Sequence, residues 1–260
     1  MKLNGKLAFI TGGGRGIGKE IARIFASEGA NVVVVARSEN QVAQVAEEIK
    51  NEFDVNTLGV ICDVANVESV KNAFAKVKEH FGAMPDILVN NAGIAESAPF
   101  HKTSDELWQR IIDINLTGTF YCTREVLPSM LEKKWGRVIN IASIAGKAGA
   151  PYIAAYVASK HGVVGMTRSL AVEVAAKGIT VNAICPGYVE TDMAQYAIDN
   201  IVSKTKVSEE DAKRYLESQS PQQRMVTVEE VAALALLLAS EEGRGINAQA
   251  INIDGGGVQH

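Results

Sequence analysis

An α/β fold built on a doubly wound, seven-stranded parallel sheet is predicted by three observations. Short apolar runs alternate with amphipathic stretches along all 260 residues, as a parallel sheet covered by helices on both faces requires. The first apolar run opens directly into a glycine-rich loop and a helical stripe. No Pro-, Gly- or Ser-rich linker and no shift of composition divides the chain, so it reads as one domain over 1–260.

The first strand, LAFIT at 7–11, ends in Thr11-Gly12-Gly13-Gly14-Arg15-Gly16-Ile17-Gly18. Glycines there permit tight turning and close backbone approach, and the following helix offers free N–H groups and a positive dipole end. With strand, loop, helix and second strand in order, the segment reads as a cradle for a dinucleotide pyrophosphate. Ile17, Ile21, Ile24 and Phe25 mark the first helix. The second strand, NVVVVA at 31–36, ends in Ala36-Arg37-Ser38. An acid that would hold a ribose 2′-hydroxyl is missing at position 36, whereas Arg37 with Arg15 can pair with a 2′-phosphate. NADP(H) is therefore expected in preference to NAD.

Val42, Val45, Ile49 and Phe53 give the second helix, LGVICDV at 58–64 the third strand, and Val67, Val70, Phe74, Val77 and Phe81 the third helix. DILVNNAG at 86–93 is the fourth strand and its turn, followed by a long helix over about 104–133. RVINIAS at 137–143, a helix over 156–176, ITVNAICPG at 179–187, a helix over 228–240 and QAINIDG at 249–255 complete the series. Asp254-Gly255-Gly256-Gly257 reads as a C-terminal turn. One stretch, 194–224, is charged and polar and breaks the alternation. It reads as a lid closing on substrate or as an oligomer-contact excursion, and its place after a strand's carboxyl end favours the lid.

A net charge of -4 and a pI near 5.7 give no electrostatic case for nucleic acid or an anionic membrane. Lys133, Lys134 and Arg137 around Trp135 read as a solvated helix end. The N-terminus has no charged leader with a cleavage site, and the longest apolar run, 231–239, is too short to span a bilayer. Cys62, Cys122 and Cys185 are widely spaced and set in apolar segments, which suits a reducing, cytoplasmic setting. His80, His101, His161 and His260 form no ligand spacing, so no metal is expected.

Tyr156 and Lys160 in YVASK stand four residues apart, on one helix face, and of the six tyrosines only Tyr156 has a lysine there. Moving a phenol from a pKa of about 10 to about 7 takes roughly 4 kcal/mol, which a fixed ammonium in a dry site could supply. Taken alone, the pair also fits a snorkelling surface contact.

TGGGRGIG at 11–18, Asp63 in CDV, NNAG at 90–93, Asn115 in INLTG, Ser143 in INIAS, YVASK at 156–160 and PGYVET at 186–191 together resemble the short-chain dehydrogenase/reductases over nearly the whole chain. Within that family the sequence is most similar to 3-oxoacyl-acyl-carrier-protein reductases and polyketide ketoreductases. The resemblance implies a Rossmann-like fold and a catalytic tetrad of Asn115, Ser143, Tyr156 and Lys160. Ser143 would polarise a carbonyl and Tyr156 would exchange a proton with it. Lys160 would hold the ribose hydroxyls and lower the pKa of Tyr156, and Asn115 would position a water joining Lys160 to solvent.

The implied cofactor contacts are Gly12, Arg15, Gly16, Ile17, Gly18 and Arg37, then Asp63 and Val64 at the adenine, Asn90 and Gly93 beside the ribose, Tyr156 and Lys160, and Pro186, Gly187, Val189 and Thr191 toward the carboxamide. A homotetramer is implied as well. Segment 144–155, mostly small or apolar, would line the pocket and suits an acyl chain or nonpolar ring. Lys134 and Lys177 match basic positions of reductases that act on an acyl carrier protein, while the longer lid leaves room for a coenzyme A thioester or a cyclic ketone. The implied activity is NADP(H)-dependent reduction of a 3-oxoacyl thioester, with a secondary alcohol or cyclic ketone dehydrogenase as the alternative. A non-catalytic dinucleotide sensor would have no use for the tetrad.

Overall fold

In β1 (Leu7–Thr11) and β2 (Asn31–Ala36) nearly every residue is buried, because alternate side chains enter two different cores. Leu7, Phe9, Val33 and Val35 face one side, and Ala8, Ile10, Val32 and Val34 the other. The computed structural model describes residues 1–259; His260, one of the four scattered histidines, lies outside the described residues. The remaining strands are β3 (Thr57–Ile61), β4 (Ile87–Asn90), β5 (Gly136–Ile141), β6 (Ile179–Pro186) and β7 (Ala250–Ile253). They form one seven-stranded sheet in the order β3-β2-β1-β4-β5-β6-β7, with every neighbouring pair parallel.

One face is covered by α1 (Gly16–Ser27), α2 (Glu39–Glu52) and α9 (Val228–Ala239), through Ile21, Phe25, Val45, Ile49, Val231 and Leu238. The other is covered by α3 (Val67–Phe81), α5 (Gly118–Lys133) and α6 (Ala154–Val174), through Phe74, Val77, Val126, Met130, Ala171 and Val174. Full burial of each such side chain contributes about 1.5–3 kcal/mol. Phe9 stacks on Phe74 with centroids 4.3 Å apart, which fixes α3 on the sheet.

Four expectations change in detail. The third strand stops at Ile61 because Asp63 turns the chain, its Oδ1 accepting from the Ala65 N–H at 3.0 Å. The long helix predicted over 104–133 is α4 (Asp105–Ile112) and α5, joined by a π-helical turn at Asp113–Thr117. The polar stretch 194–224 lies mostly in two helices, α7 (Asp192–Thr205) and α8 (Glu209–Ser218), which close on Ile198, Ala212 and Leu216. Arg137, read as part of a solvated helix end, is buried: its Nη2 donates to Glu241 at 3.1 Å and its guanidinium lies 4.4 Å from the Trp135 ring centroid. Among the described residues no helix is long and apolar enough to cross a membrane, and no cluster of His, Cys, Asp or Glu could hold a metal ion.

Candidate active site

The chain reverses its winding at β1, whose neighbours in the sheet are β2 and β4, and the loops after β1 and β4 meet at that switch point. Thr11 Oγ1 accepts from the N–H groups of Asn91 and Ala92 at 2.9 and 3.0 Å. Asn91 Nδ2 donates back to the carbonyls of Thr11 and Gly12 at 3.0 and 3.1 Å. These residues staple the NNAG turn to the glycine loop. Both lie in motifs the sequence showed, but their mutual contact was not read from it.

The glycine loop has the form the cradle needs. A methyl group on Gly18 would run into the Gly12 carbonyl oxygen and stand 2.5 Å from Asn91 Nδ2. Gly16, at φ 52, lies where a side chain would press on Thr191 Cγ2 at 3.3 Å. The loop thus packs against the end of PGYVET with no room for side chains, and α1 points its amino terminus at the gap. Ile17 packs on the core beneath. Arg15, expected near a 2′-phosphate, instead donates from Nη1 to Asp192 Oδ2 at 2.6 Å, bridging the loop to the start of α7.

Arg37 is exposed and, with Asp63, lines a cleft of about 700 Å³. The opposite wall is α4 and the π turn, including Asp105, Glu106, Arg110 and Asp113. Val64 is buried against Gly118. Asn90 is buried: its Nδ2 donates to Thr123 Oγ1 at 3.0 Å and to Asn140 Oδ1 at 2.9 Å, so its amino group is committed to the core. Gly93 is the point of closest approach to the polar residues opposite, since a Cβ there would lie 3.3 Å from Asn115 Oδ1 and 3.6 Å from Lys160 Nζ. Pro186 is buried at the end of β6, the Gly187 N–H donates to the Ile253 carbonyl at 2.9 Å, and Val189 bridges to Val226. Thr191 stands at the amino end of α7, its Oγ1 donating to the Val189 carbonyl at 3.1 Å.

The four residues of the implied tetrad come from three elements at the carboxyl end of the sheet. Ser143 follows β5, Tyr156 and Lys160 lie on α6, and Asn115 sits in the π turn. Asn115 is buried; its Oδ1 accepts from the Ile94 N–H, while its Nδ2 donates to the Ile94 carbonyl and to Ser159 Oγ, all at 2.9–3.0 Å. Its amide is fully engaged, which locks the π turn to α6. Lys160 is 5% exposed, and its Nζ donates to the Ile141 carbonyl at 2.8 Å and lies 5.6 Å from the Tyr156 ring centroid. Burial takes its pKa from an ordinary 10.5 down to about 8.

The phenol of Tyr156 does not follow the sequence expectation. Burial pushes its pKa above the ordinary value of 10, and the Ser143 hydroxyl beside it offsets only part of that rise. The phenol is therefore in its acid form at neutral pH, while Lys160 Nζ donates to the Ile141 carbonyl. A protonated phenol next to a serine hydroxyl can donate to a carbonyl oxygen as charge develops there.

Around this centre, Lys147 of segment 144–155 turns away, donating to the Ala250 carbonyl at 3.0 Å and Asn252 Oδ1 at 2.9 Å. Tyr152, at φ 68 and 66% exposed, is held by the Ala98 N–H on its carbonyl. Asn200 Nδ2 of α7 donates to Ser97 Oγ at 2.6 Å, so the α7–α8 hairpin touches the NNAG side as well as the glycine loop.

The chain as a whole is similar to proteins of known kind. The sequence model described as short chain dehydrogenase matches residues 6–201. The chain is 40% identical to the D-beta-hydroxybutyrate dehydrogenase of Cupriavidus necator, covering 98% of this chain and 99% of that one. It is 38% identical to the 3-oxoacyl-acyl-carrier-protein reductase FabG of Aquifex aeolicus, over 98% of both. Among solved structures, a single-site variant of actinorhodin polyketide ketoreductase with NADPH superposes with a TM-score of 0.94 at 40% identity over 98% of each chain. A stapled glycine cradle, a Tyr/Lys helix facing a strand-end serine and near full-length relatives converge on one conclusion: the chain belongs to the short-chain dehydrogenase family of oxidoreductases.

Proposed function

We infer that the protein is an NADP(H)-dependent carbonyl reductase whose substrate is a 3-oxoacyl thioester. The observation that carries the reading is the placement of the Ser143 hydroxyl beside the Tyr156 phenol, with Lys160 Nζ 5.6 Å from the Tyr156 ring centroid and facing Gly93 of the NNAG turn. The nicotinamide, when bound, supplies or accepts the hydride. Ser143 orients the carbonyl and Tyr156 donates the proton to its oxygen. Lys160 holds ribose hydroxyls, and Asn115 fixes the turn that faces it. The same groups in reverse take a proton from an alcohol.

Arg37 in its cleft, with alanine at position 36, supports NADP(H) over NAD. Because Arg15 is paired with Asp192, Arg37 carries most of that argument. A thioester is supported by the small, apolar make-up of segment 144–155 and by the similarity to a reductase named for 3-oxoacyl groups. Exposed Lys134 and Lys177 leave an acidic carrier protein as a docking partner. Phe120 on α5 and Val172 on α6, 43% and 76% exposed, support self-association through the long helices, as the homotetramer reading requires. Similarity to a hydroxybutyrate dehydrogenase favours one second reading, a small secondary alcohol dehydrogenase.

The deciding experiment measures initial rates of NADPH and NADH oxidation with a short 3-oxoacyl coenzyme A, a cyclic ketone and the Tyr156→Phe variant. Fast, Tyr156-dependent NADPH oxidation with the thioester is the expected result. Turnover confined to the ketone, or to NADH, would move the function to the alcohol dehydrogenase reading.

A further inference from the structure

Two rungs of hydrogen bonds join α6 to α5 and to the π turn that leads into it. The upper one, at the carboxyl end of the sheet, is Asn115 Nδ2 to Ser159 Oγ at 3.0 Å. The lower one crosses the buried face of the sheet. Thr123 Oγ1 of α5 accepts from Asn90 Nδ2 at 3.0 Å, Asn90 Nδ2 also donates to Asn140 Oδ1 at 2.9 Å, and Asn140 Nδ2 donates to Thr167 Oγ1 of α6 at 2.8 Å. Thr123 lies eight residues beyond Asn115, and Thr167 eight beyond Ser159. At about 1.5 Å per residue both rungs are therefore spaced by roughly 12 Å along their helices.

Along α5 the rungs are also connected. Thr123 Oγ1 donates to the Thr119 carbonyl at 2.7 Å, and Thr119 Oγ1 donates to the Asn115 carbonyl at 2.8 Å. Thr167 Oγ1 in turn donates to the Val163 carbonyl at 2.8 Å, one turn below Lys160. Asn90, Asn140, Thr123 and Thr167 are each at most 4% exposed, beside an otherwise apolar layer. Burying amides and hydroxyls there costs free energy unless each is paired, and apolar side chains of the same shape would fill the space at no such cost. Asn90 Oδ1 is left without any partner. What the polar layer provides, and an apolar one would not, is a single register between two helices.

We propose that Thr123, Asn90, Asn140 and Thr167 are positioning residues for catalysis: the lower rung fixes α6 against α5 and so holds Tyr156 and Lys160 in register with Asn115 and Ser143. The proposal rests on the reading of Tyr156 as the proton donor. It reassigns Asn90 from a cofactor contact to a strut, and it gives a purpose to polar residues deep under the site.

The test uses Thr167→Val, which keeps the shape and removes the acceptor, with Thr167→Ser as the conservative rescue. Carbonyl reduction, cofactor affinity, thermal midpoint and the pH dependence of kcat are measured for each, beside Tyr156→Phe. For Thr167→Val the expected result is a cofactor Kd and a carbonyl KM within about threefold of the parent, kcat lowered about tenfold or more, and a displaced pH profile of kcat. Thr167→Ser is expected to restore kcat and the profile. If Thr167→Val keeps kcat within twofold, or loses it only in step with its folded fraction with the profile unmoved, the rung is merely structural and the proposal fails. Should Thr167→Val not fold, Thr123→Val breaks the rung from the other helix under the same criteria, and failure of both to fold assigns the rung to stability and overturns the proposal. An active Tyr156→Phe would sink the proton-donor reading on its own account, separately from the behaviour of Thr167.

Discussion

At the scale of single residues, the chemistry depends on which protonation state each buried group keeps. Tyr156 is held in its acid form by burial, and on the proposed reading its removal deletes the proton donor and leaves the cradle intact. Tyr156→Phe is expected to lower carbonyl reduction by about 10²–10⁴-fold, the usual worth of a positioned acid, with cofactor Kd changed by less than about threefold in a fluorescence titration. Lys160 behaves in the opposite sense. Its folded pKa of about 8 lies below the unfolded 10.5. Below pH 8 the lysine is charged in both states and the folded protein bears the full cost of burying it, about 3 kcal/mol. As pH rises from 8 toward 10.5 the folded protein sheds the proton first, so this group's drag on stability fades. The cation available to ribose hydroxyls fades over the same range. Cofactor affinity measured from pH 6.5 to 9.5 should weaken through a midpoint near 8, and Lys160→Met should bind weakly throughout with a flat profile; a parent whose affinity does not change would refute the assignment. Tyr156 and Lys160 were legible from their spacing. Their direction of titration was not, because it depends on how deeply the assembled fold buries both groups, which no linear spacing shows.

At the scale of elements, the α7–α8 hairpin is the part with the thinnest support. Its own buried residues are Ala194, Ile198, Ala212 and Leu216, and its ties to the rest include Arg15–Asp192 and Asn200–Ser97, all four exposed or half-buried. The exposed Arg15–Asp192 ion pair contributes about 0–1 kcal/mol and the exposed Asn200–Ser97 hydrogen bond about as little. An Ile to Ala change in a packed site costs about 2–5 kcal/mol, more than these ties can offset. Ile198→Ala should therefore loosen the hairpin while leaving the sheet core folded: limited proteolysis within 192–218 should accelerate, and KM for the carbonyl substrate should rise several-fold with the global melting midpoint nearly unchanged. An unchanged KM would turn the hairpin from a lid into a surface excursion. In the sequence this segment read as polar because most of its residues face water. Its helicity was recoverable from Ile198, Ile201 and Val202 and from Ala212 and Leu216, spaced at three and four residues. The π turn at 113–117 was not recoverable, since a single widened turn shifts the apolar phase only slightly.

At the scale of the whole molecule, the seven strands were legible because a sheet buried on both faces must be written in continuous apolar runs, and LAFIT and NVVVVA are such runs. The polar rung from Thr123 to Thr167 was illegible because its members come from four elements and meet only after the sheet has formed. The cofactor cradle is likewise a property of the assembled fold: the glycine loop after β1 is packed by the turn after β4 and by Thr191 in the loop after β6. A ligand that binds only the assembled cradle stabilises the native state by about 2.7 kcal/mol at one hundred times its Kd. For a chain of this size each kcal/mol moves the midpoint by roughly 2–4 °C, so NADPH at that excess should raise the melting temperature by roughly 5–11 °C. NADH at the same concentration should raise it less, because it lacks the phosphate that Arg37 would hold. If Arg37 carries that preference, Arg37→Ala should lose about tenfold in NADPH affinity, about 1.4 kcal/mol, and with it roughly 3–6 °C of the shift. NADH should protect the variant as it does the parent. Equal protection of the parent by both cofactors would remove the argument from Arg37 and Ala36 and leave a fold that binds either dinucleotide alike.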